Sequence, residues 1–401
     1  MLAASLPPPP RLAIVLSHPT QYYSPWFRWL RAHTALEFRV FYLWDFGVKA
    51  TRDPQFQATF HWDVDLLSGY DSEFVPNTAA NPGYHRFLGL RNPGLTRRLA
   101  SWRPNAMLLF GYKSPSHLAA IAWARLHRVP LIFRGDSHLL GRGELPLLQW
   151  TLLRMLYAQF AAVTFVGEAN RDYFTRLGVP AHRLYFAPHS VNADLFDPAQ
   201  PEPRTAAAAL RRQLGITTSA RVVLYAGKFV AAKQPRELLE AFLQIRPRNA
   251  ALVFVGDGKE KPALLALART APPGTVHFLP FANQSEMPSR YLLADIFALP
   301  SRGLYETWGL AINEAMHLGV PCLVSDRVGC QRDLVTDGET GWVFRATDTS
   351  DLFQKLAAAL AADLPSFAPR IAARIAQYTY AHSGAGLLQA LRAVTPSLSL
   401  P

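Results

Sequence analysis

Short apolar runs alternate with stretches of helical apolar spacing along nearly the whole chain, and a parallel α/β architecture is what such alternation specifies. The runs fall at residues 12–16, 38–42, 106–110, 131–133, 162–166 and 183–186, then at 222–225, 251–255, 276–278, 296–299 and 321–324. Helical patterns lie between them, for instance at 115–126, 235–245, 261–268 and 310–318. The alternation breaks once, where residues 197–204 read Asp-Pro-Ala-Gln-Pro-Glu-Pro-Arg. Three prolines so close together suit neither a helix interior nor a central strand, so a stiff linker is expected there. The 401 residues then divide into a first domain at 1–196, the linker, a second domain at 205–380, and a terminal helix in 381–401 packed back on the first domain. Two α/β halves joined by a stiff hinge are expected to hold a ligand cleft between them, at the carboxyl ends of the strands.

Composition narrows the partners. Half of the residues are apolar, enough for two cores, and the net charge of +12 favours acidic partners. The excess is spread out: 20 Lys and Arg oppose 13 Asp and Glu up to residue 200, and 21 oppose 16 beyond it. With no basic block or aromatic-basic ladder, a nucleic-acid reader is not expected. Cys322 and Cys330 are the only cysteines and read as reduced thiols of a cytoplasmic protein. Residues 1–10 carry a proline run and lack the layout of a signal peptide. The apolar stretch 145–166 is interrupted by Gln149, Arg154 and Gln159, so it reads as a helix followed by a buried strand, not a membrane span.

Chemistry concentrates in residues 300–321, where a strand end, a glycine-bearing loop and a helix start near Gly309 follow one another. Unpaired N–H groups at such a start attract phosphate, and the helix dipole adds to the pull. Glu306 precedes the helix and is expected in the cleft. Glu314, eight positions on, is placed to address another part of one extended ligand. Taken singly, either carboxylate is more ordinarily a capping or surface group. A second cluster follows the strand at 222–225, where Gly227 permits a tight turn and Lys228 and Lys233 lie near the next helix start. Two ammonium groups there suit a diphosphate, although solvated lysines are the default. The stretch is not a P-loop, and Val255-Gly-Asp-Gly258 lacks the third glycine of a dinucleotide fingerprint.

The spacing of Glu306 and Glu314 resembles the E-x7-E motif of retaining glycosyltransferase family 4, whose GT-B fold sets two Rossmann-like domains face to face. Residues 225–233, 253–258, 278–287 and 325–341 resemble four further blocks of that family, in its order, and 187–196 resembles its approach to the hinge. The resemblance implies that Glu306 contacts the hydroxyls of a donor sugar and Glu314 the nucleotide ribose. It assigns the distal phosphate to the N–H groups of Trp308, Gly309 and Leu310, with Gly227, Lys228 and Lys233 beneath the diphosphate, and the base to a place near Phe281. Asp136 stands where the family usually has a histidine near the acceptor, which leaves Asp136 or His138 to take that role. The family's Gly-Gly turn after the first strand is replaced by residues 17–23, Ser-His-Pro-Thr-Gln-Tyr-Tyr, and Lys228 replaces a usual arginine, trading a planar fork for a point charge.

The implied activity is transfer of a sugar from a UDP- or GDP-sugar to a glycan or lipid-linked acceptor in cell-surface polysaccharide synthesis, without metal or further cofactor. Acceptor choice is expected on first-domain loops such as 49–92. Two other readings share the fold: a UDP-sugar 2-epimerase, and a non-catalytic sugar-nucleotide binder of an envelope-glycan complex. Residues 26–31 and 147–157 are apolar and basic. They suit peripheral contact with the inner face of a membrane, against the more ordinary reading as core-facing helices.

Overall fold

The computed structural model describes residues 10–48, 51–53, 58–303 and 306–396. The proline run at 1–9, parts of the 49–92 loop and the end of the terminal stretch lie outside the described residues. The first domain is built on a seven-stranded sheet. Its strands are β1 (Arg11–Leu16), β2 (Glu37–Tyr42), β3 (Ser72–Phe74), β4 (Ala106–Phe110), β5 (Leu131–Arg134), β6 (Ala162–Phe165) and β7 (Leu184–Phe186). The second domain is built on a six-stranded sheet of β8 (Arg221–Ala226), β9 (Ala250–Val255), β10 (Val276–Leu279), β11 (Ile296–Leu299), β12 (Cys322–Ser325) and β13 (Gly341–Phe344). The orders are β3-β2-β1-β4-β5-β6-β7 and β10-β9-β8-β11-β12-β13, with every pairing parallel. Both sheets therefore reverse direction beside their first strand, and ligands of such sheets bind at that switch point.

Strands covered on both faces read as unbroken apolar runs, and β1 is buried from Leu12 onward. Its alternate residues serve different cores. Ala13 and Val15 pack with α2 (Pro115–Leu126), α3 (Leu147–Tyr157) and α4 (Glu168–Arg176) through Ile121, Trp123, Leu153, Tyr157 and Phe174. Leu12 and Ile14 face the opposite layer, where Trp26, Phe27 and Leu30 of α1 (Tyr23–His33) meet Leu387 and Leu391 of the last helix. The second domain has one continuous core around β8 to β13.

The expected linker is shorter than its prolines suggested. Residues 201–204 form the first turn of α5 (Pro201–Gln213), because a proline at a helix start forfeits an N–H that has no intrahelical partner anyway. Further helices of the second domain are α6 (Pro235–Ile245), α7 (Met287–Leu293) and α8 (Leu310–His317). After them α9 (Tyr380–Val394), capped by Thr379, returns to the first domain and packs on β6, β7 and α1. Two strands of these sheets were not expected from the sequence: β3, a three-residue edge strand, and β13; nor was a separate antiparallel pair, Thr51–Asp53 with Ala58–Phe60. Of the two apolar-basic stretches, 26–31 is core-facing within α1, whereas α3 buries only Leu153 and Tyr157 completely.

Candidate active site

The second domain supplies a charged wall. Gly309 caps α8 at φ +100°, and a Cβ on it would lie 2.8 Å from Val328 Cγ1, so only glycine fits this turn. The first amides of α8 have no intrahelical acceptors and carry the positive end of its dipole. Trp308 is buried beside them, its indole N–H donating to Asn313 Oδ1 at 2.7 Å. Glu306, from the loop after β11, forms an ion pair with Lys233 from the turn after β8. Gly227 leaves β8 at φ +156°, and the Lys228 carbonyl accepts from Tyr225 Oη at 2.8 Å. Gly256, at the end of β9, lets this turn rest on it, since a Cβ there would fall 2.1 Å from the Gly227 carbonyl oxygen.

Glu314 lies one turn into α8 and is buried. Its Oε1 accepts from Gln284 Nε2 at 2.8 Å and its Oε2 from Tyr291 Oη at 2.6 Å. A third polar group comes from the other domain: Tyr22, in the turn after β1, packs on the second-domain core with its hydroxyl toward Glu314. Burial raises the Glu314 pKa, and the three groups oppose the rise. Phe281 is half-buried on the turn after β10, three residues before Gln284.

The first domain supplies a cavity of about 500 Å³ at its switch point, lined by Tyr23, Tyr84, Tyr112, Lys113, His117 and Asp136 among others. His117 is buried, its Nδ1 2.6 Å from Ser114 Oγ, and burial lowers its pKa to about 4. Asp136 lines the cavity wall nearest the second domain. It accepts from Thr307 Oγ1 at 2.8 Å, and its Oδ2 lies 3.4 Å from His189 Nε2. Burial alone would raise its pKa, yet His189 and Thr307 outweigh that and hold it low. His138 points elsewhere. Its Nδ1 accepts from the Leu140 amide at 3.0 Å, so its Nε2 carries the proton and donates to the Glu306 carbonyl at 3.1 Å. His138 thus fixes the backbone of the Glu306 loop, while Asp136 faces the cavity.

Tyr22, Thr307 and His189 are the residues that sequence reasoning passed over. Only Tyr22 left a signal, the replacement of a Gly-Gly turn by bulky residues. Further bonds tie the domains: the Glu168 amide donates to both Asp333 oxygens at 3.1 Å, Asn283 Nδ2 to the His61 carbonyl at 2.9 Å, and Arg332 to Asp172 at 2.8 Å.

Residues 207–381 match the family model of glycosyl transferases group 1, and residues 57–189 match that of a glycosyl transferase 4-like domain. A D-inositol 3-phosphate glycosyltransferase of Xylanimonas cellulosilytica is 29% identical over 256 residues, covering 61% of this chain. The chain spans 60% of that relative's length. A GDP-mannose-dependent alpha-(1-6)-phosphatidylinositol monomannoside mannosyltransferase of Mycobacterium tuberculosis is 31% identical over 292 residues, 70% of this chain and 72% of the relative. Among solved structures, Anabaena Alr3699/HepE in complex with UDP superposes with a TM-score of 0.70 at 17% identity, over 95% of this chain and 99% of the other. Two parallel-sheet Rossmann-like domains closing on a shared cleft define the GT-B class of fold. Within that class, the chain belongs to glycosyltransferase family 4.

Proposed function

We propose that this chain is a retaining hexosyltransferase that moves a sugar from a UDP- or GDP-sugar to a glycan or lipid-linked acceptor in cell-surface polysaccharide synthesis. One observation carries the reading: the Lys233–Glu306 pair lies in the same wall as the start of α8 and is joined through Thr307 to Asp136 on the acceptor cavity. The two side chains neutralise each other. With a donor bound, Lys233 and Lys228 turn to the diphosphate and Glu306 to the sugar hydroxyls.

As the bond from the anomeric carbon to the phosphate oxygen breaks, negative charge grows on the diphosphate and positive charge on the sugar ring. The amides of Trp308, Gly309 and Leu310 and two ammonium groups stabilise the first without calling on a metal. The acceptor oxygen bonds the anomeric carbon on the face being vacated, and its proton passes to the departing phosphate oxygen. Asp136 holds the acceptor rather than taking its proton, and Phe281 flanks the base. Closure of the domains excludes water and limits donor hydrolysis. The GDP-mannose dependence of the mycobacterial mannosyltransferase supports a nucleotide-sugar donor. Two free, buried cysteines suit a cytoplasmic setting. Among the described residues no helix is long and apolar enough to cross a membrane.

Calorimetric titration with UDP, GDP and their sugars identifies the donor, and Glu306→Gln is expected to lower transfer on the order of 100-fold or more with little change in melting temperature. Near-normal turnover of that variant would reject the assignment. Conversion of the donor with no acceptor present would point instead to an epimerase.

A further inference from the structure

Helices α2 and α3 lie side by side on one face of the first sheet, because they make successive crossovers between neighbouring strands β4, β5 and β6. Their inner faces are buried, as expected. Their outer faces are not polar. On α2 the outward residues are Leu118, Ala119, Ala122, Arg125 and Leu126; on α3 Leu147, Leu148, Thr151, Leu152 and Met155 form an exposed stripe, with Gln149 and Arg154 exposed beside it. Leu126, Leu147 and Leu148 are 80%, 78% and 73% exposed. The next helix on the same face, α4, shows what a solvated surface looks like in this protein: its outward residues are Arg171, Asp172, Thr175 and Arg176.

The charge around the apolar stripes has one sign. Between residues 115 and 161 the acidic side chains are Asp136, which faces the cleft, and Glu144, which pairs with Arg176. The same stretch carries Arg125, Arg128, Arg142 and Arg154 in addition to the buried Arg134. Where α2 and α3 end, at the amino edge of the sheet, a depression of about 570 Å³ is lined by Arg125, Arg128, Arg183 and Gln159. None of these three arginines has an ion-pair partner among the described residues. A basic hollow flanked by leucines matches a surface that offers phosphate beside hydrocarbon.

We propose that the α2–α3 face docks on an anionic lipid bilayer, with Arg125, Arg128 and Arg183 taking a phospholipid head group and Leu126, Leu148, Leu152 and Met155 entering the acyl boundary. Both helices begin at the carboxyl edge of the sheet, the edge that holds the Asp136 cavity, so docking brings that cavity level with the head groups. The inference stands apart from the transfer reading, since vesicle binding requires no nucleotide.

Flotation of the full chain with phosphatidylcholine vesicles, with and without phosphatidylglycerol, tests it. Binding is expected only with the anionic lipid and falls as salt is raised. The variant R125Q/R128N/R183Q, with asparagine chosen for the left-handed backbone of residue 128, is expected to lose binding on the order of 100-fold at low salt. The variant L148Q/L152Q is expected to lose binding at low and high salt alike. These positions are exposed, so circular dichroism and melting temperature should match the unsubstituted chain. Equal binding to neutral and anionic vesicles, no binding to either, or unchanged binding of the arginine variant would overturn the proposal. So would a dimer in gel filtration that L148Q/L152Q dissociates, because a second copy would then be what covers the leucines.

Discussion

A carboxylate offers about four lone-pair positions; Glu314 has two of them taken by Gln284 and Tyr291, and the Tyr22 hydroxyl is turned toward a third. A ribose diol needs two. Gln284 and Tyr291 belong to the same domain as Glu314 and stay with it when the domains part, whereas Tyr22 leaves with the other domain. On the proposed donor reading, Tyr22 competes with the nucleotide for Glu314. Removing its hydroxyl in Tyr22→Phe is expected to tighten UDP or GDP binding by about tenfold or more, the worth of one hydrogen bond to a charged group. Calorimetry reads this directly; weaker or unchanged binding would mean that Tyr22 helps to hold the nucleotide or does not meet it. On the same reading, the geometry favours Asp136 over His138 as the group that meets the acceptor. A histidine with both ring nitrogens occupied has no atom left for an acceptor, while Asp136 keeps an oxygen toward the cavity.

At the scale of elements, the start of α8 is where fold and chemistry depend on one backbone torsion. Alanine at position 309 would hold φ near +100° only with strain, and its Cβ would press on Val328. Gly309→Ala is expected to cost about 1–3 kcal/mol of stability and to weaken nucleotide binding as the first amides turn away. Chemical denaturation and titration on the same preparation separate the two effects. This turn was legible in the sequence because everything that shapes it is local: a strand end, a loop, a glycine and a helix. The doubly covered strands were legible for a similar reason, since burial on both faces leaves an apolar run with nothing to confuse it. β3 was not, being three residues at a sheet edge with Glu73 at its centre. Nor was the exposure of α3, because its leucines lie on most sides of the helix and give no hint of which side meets the core. The first-domain half of the site was the least legible part. Asp136 meets Thr307 and His138 meets Glu306 across 171 and 168 residues of chain, and no local pattern encodes such pairs.

For the whole molecule, the buried and half-buried histidines set how it responds to acid. Burial lowers His18, His117 and His317 to about 4 from an unfolded value of 6.5, and it lowers His138 and His189 as well. As pH falls below 6.5 the unfolded chain takes up these protons while the folded chain does not, so each histidine withdraws stability until pH reaches its folded value. Two buried carboxyls act in the opposite sense. Asp333 is raised by burial to about 6, and Glu314 is raised too, so the folded chain binds their protons first and gains from acid. The five imidazoles outnumber those two carboxyls, and His138 and His189 lie where the domains meet. Melting temperature is therefore expected to be level above about pH 7 and to fall steadily toward about pH 5. The Asp333→Asn variant, which lacks an opposing group, should fall more steeply. A melting temperature that is flat or rises across that interval would show that the imidazoles are not held neutral, and that the cleft they line is wetter than its packing indicates.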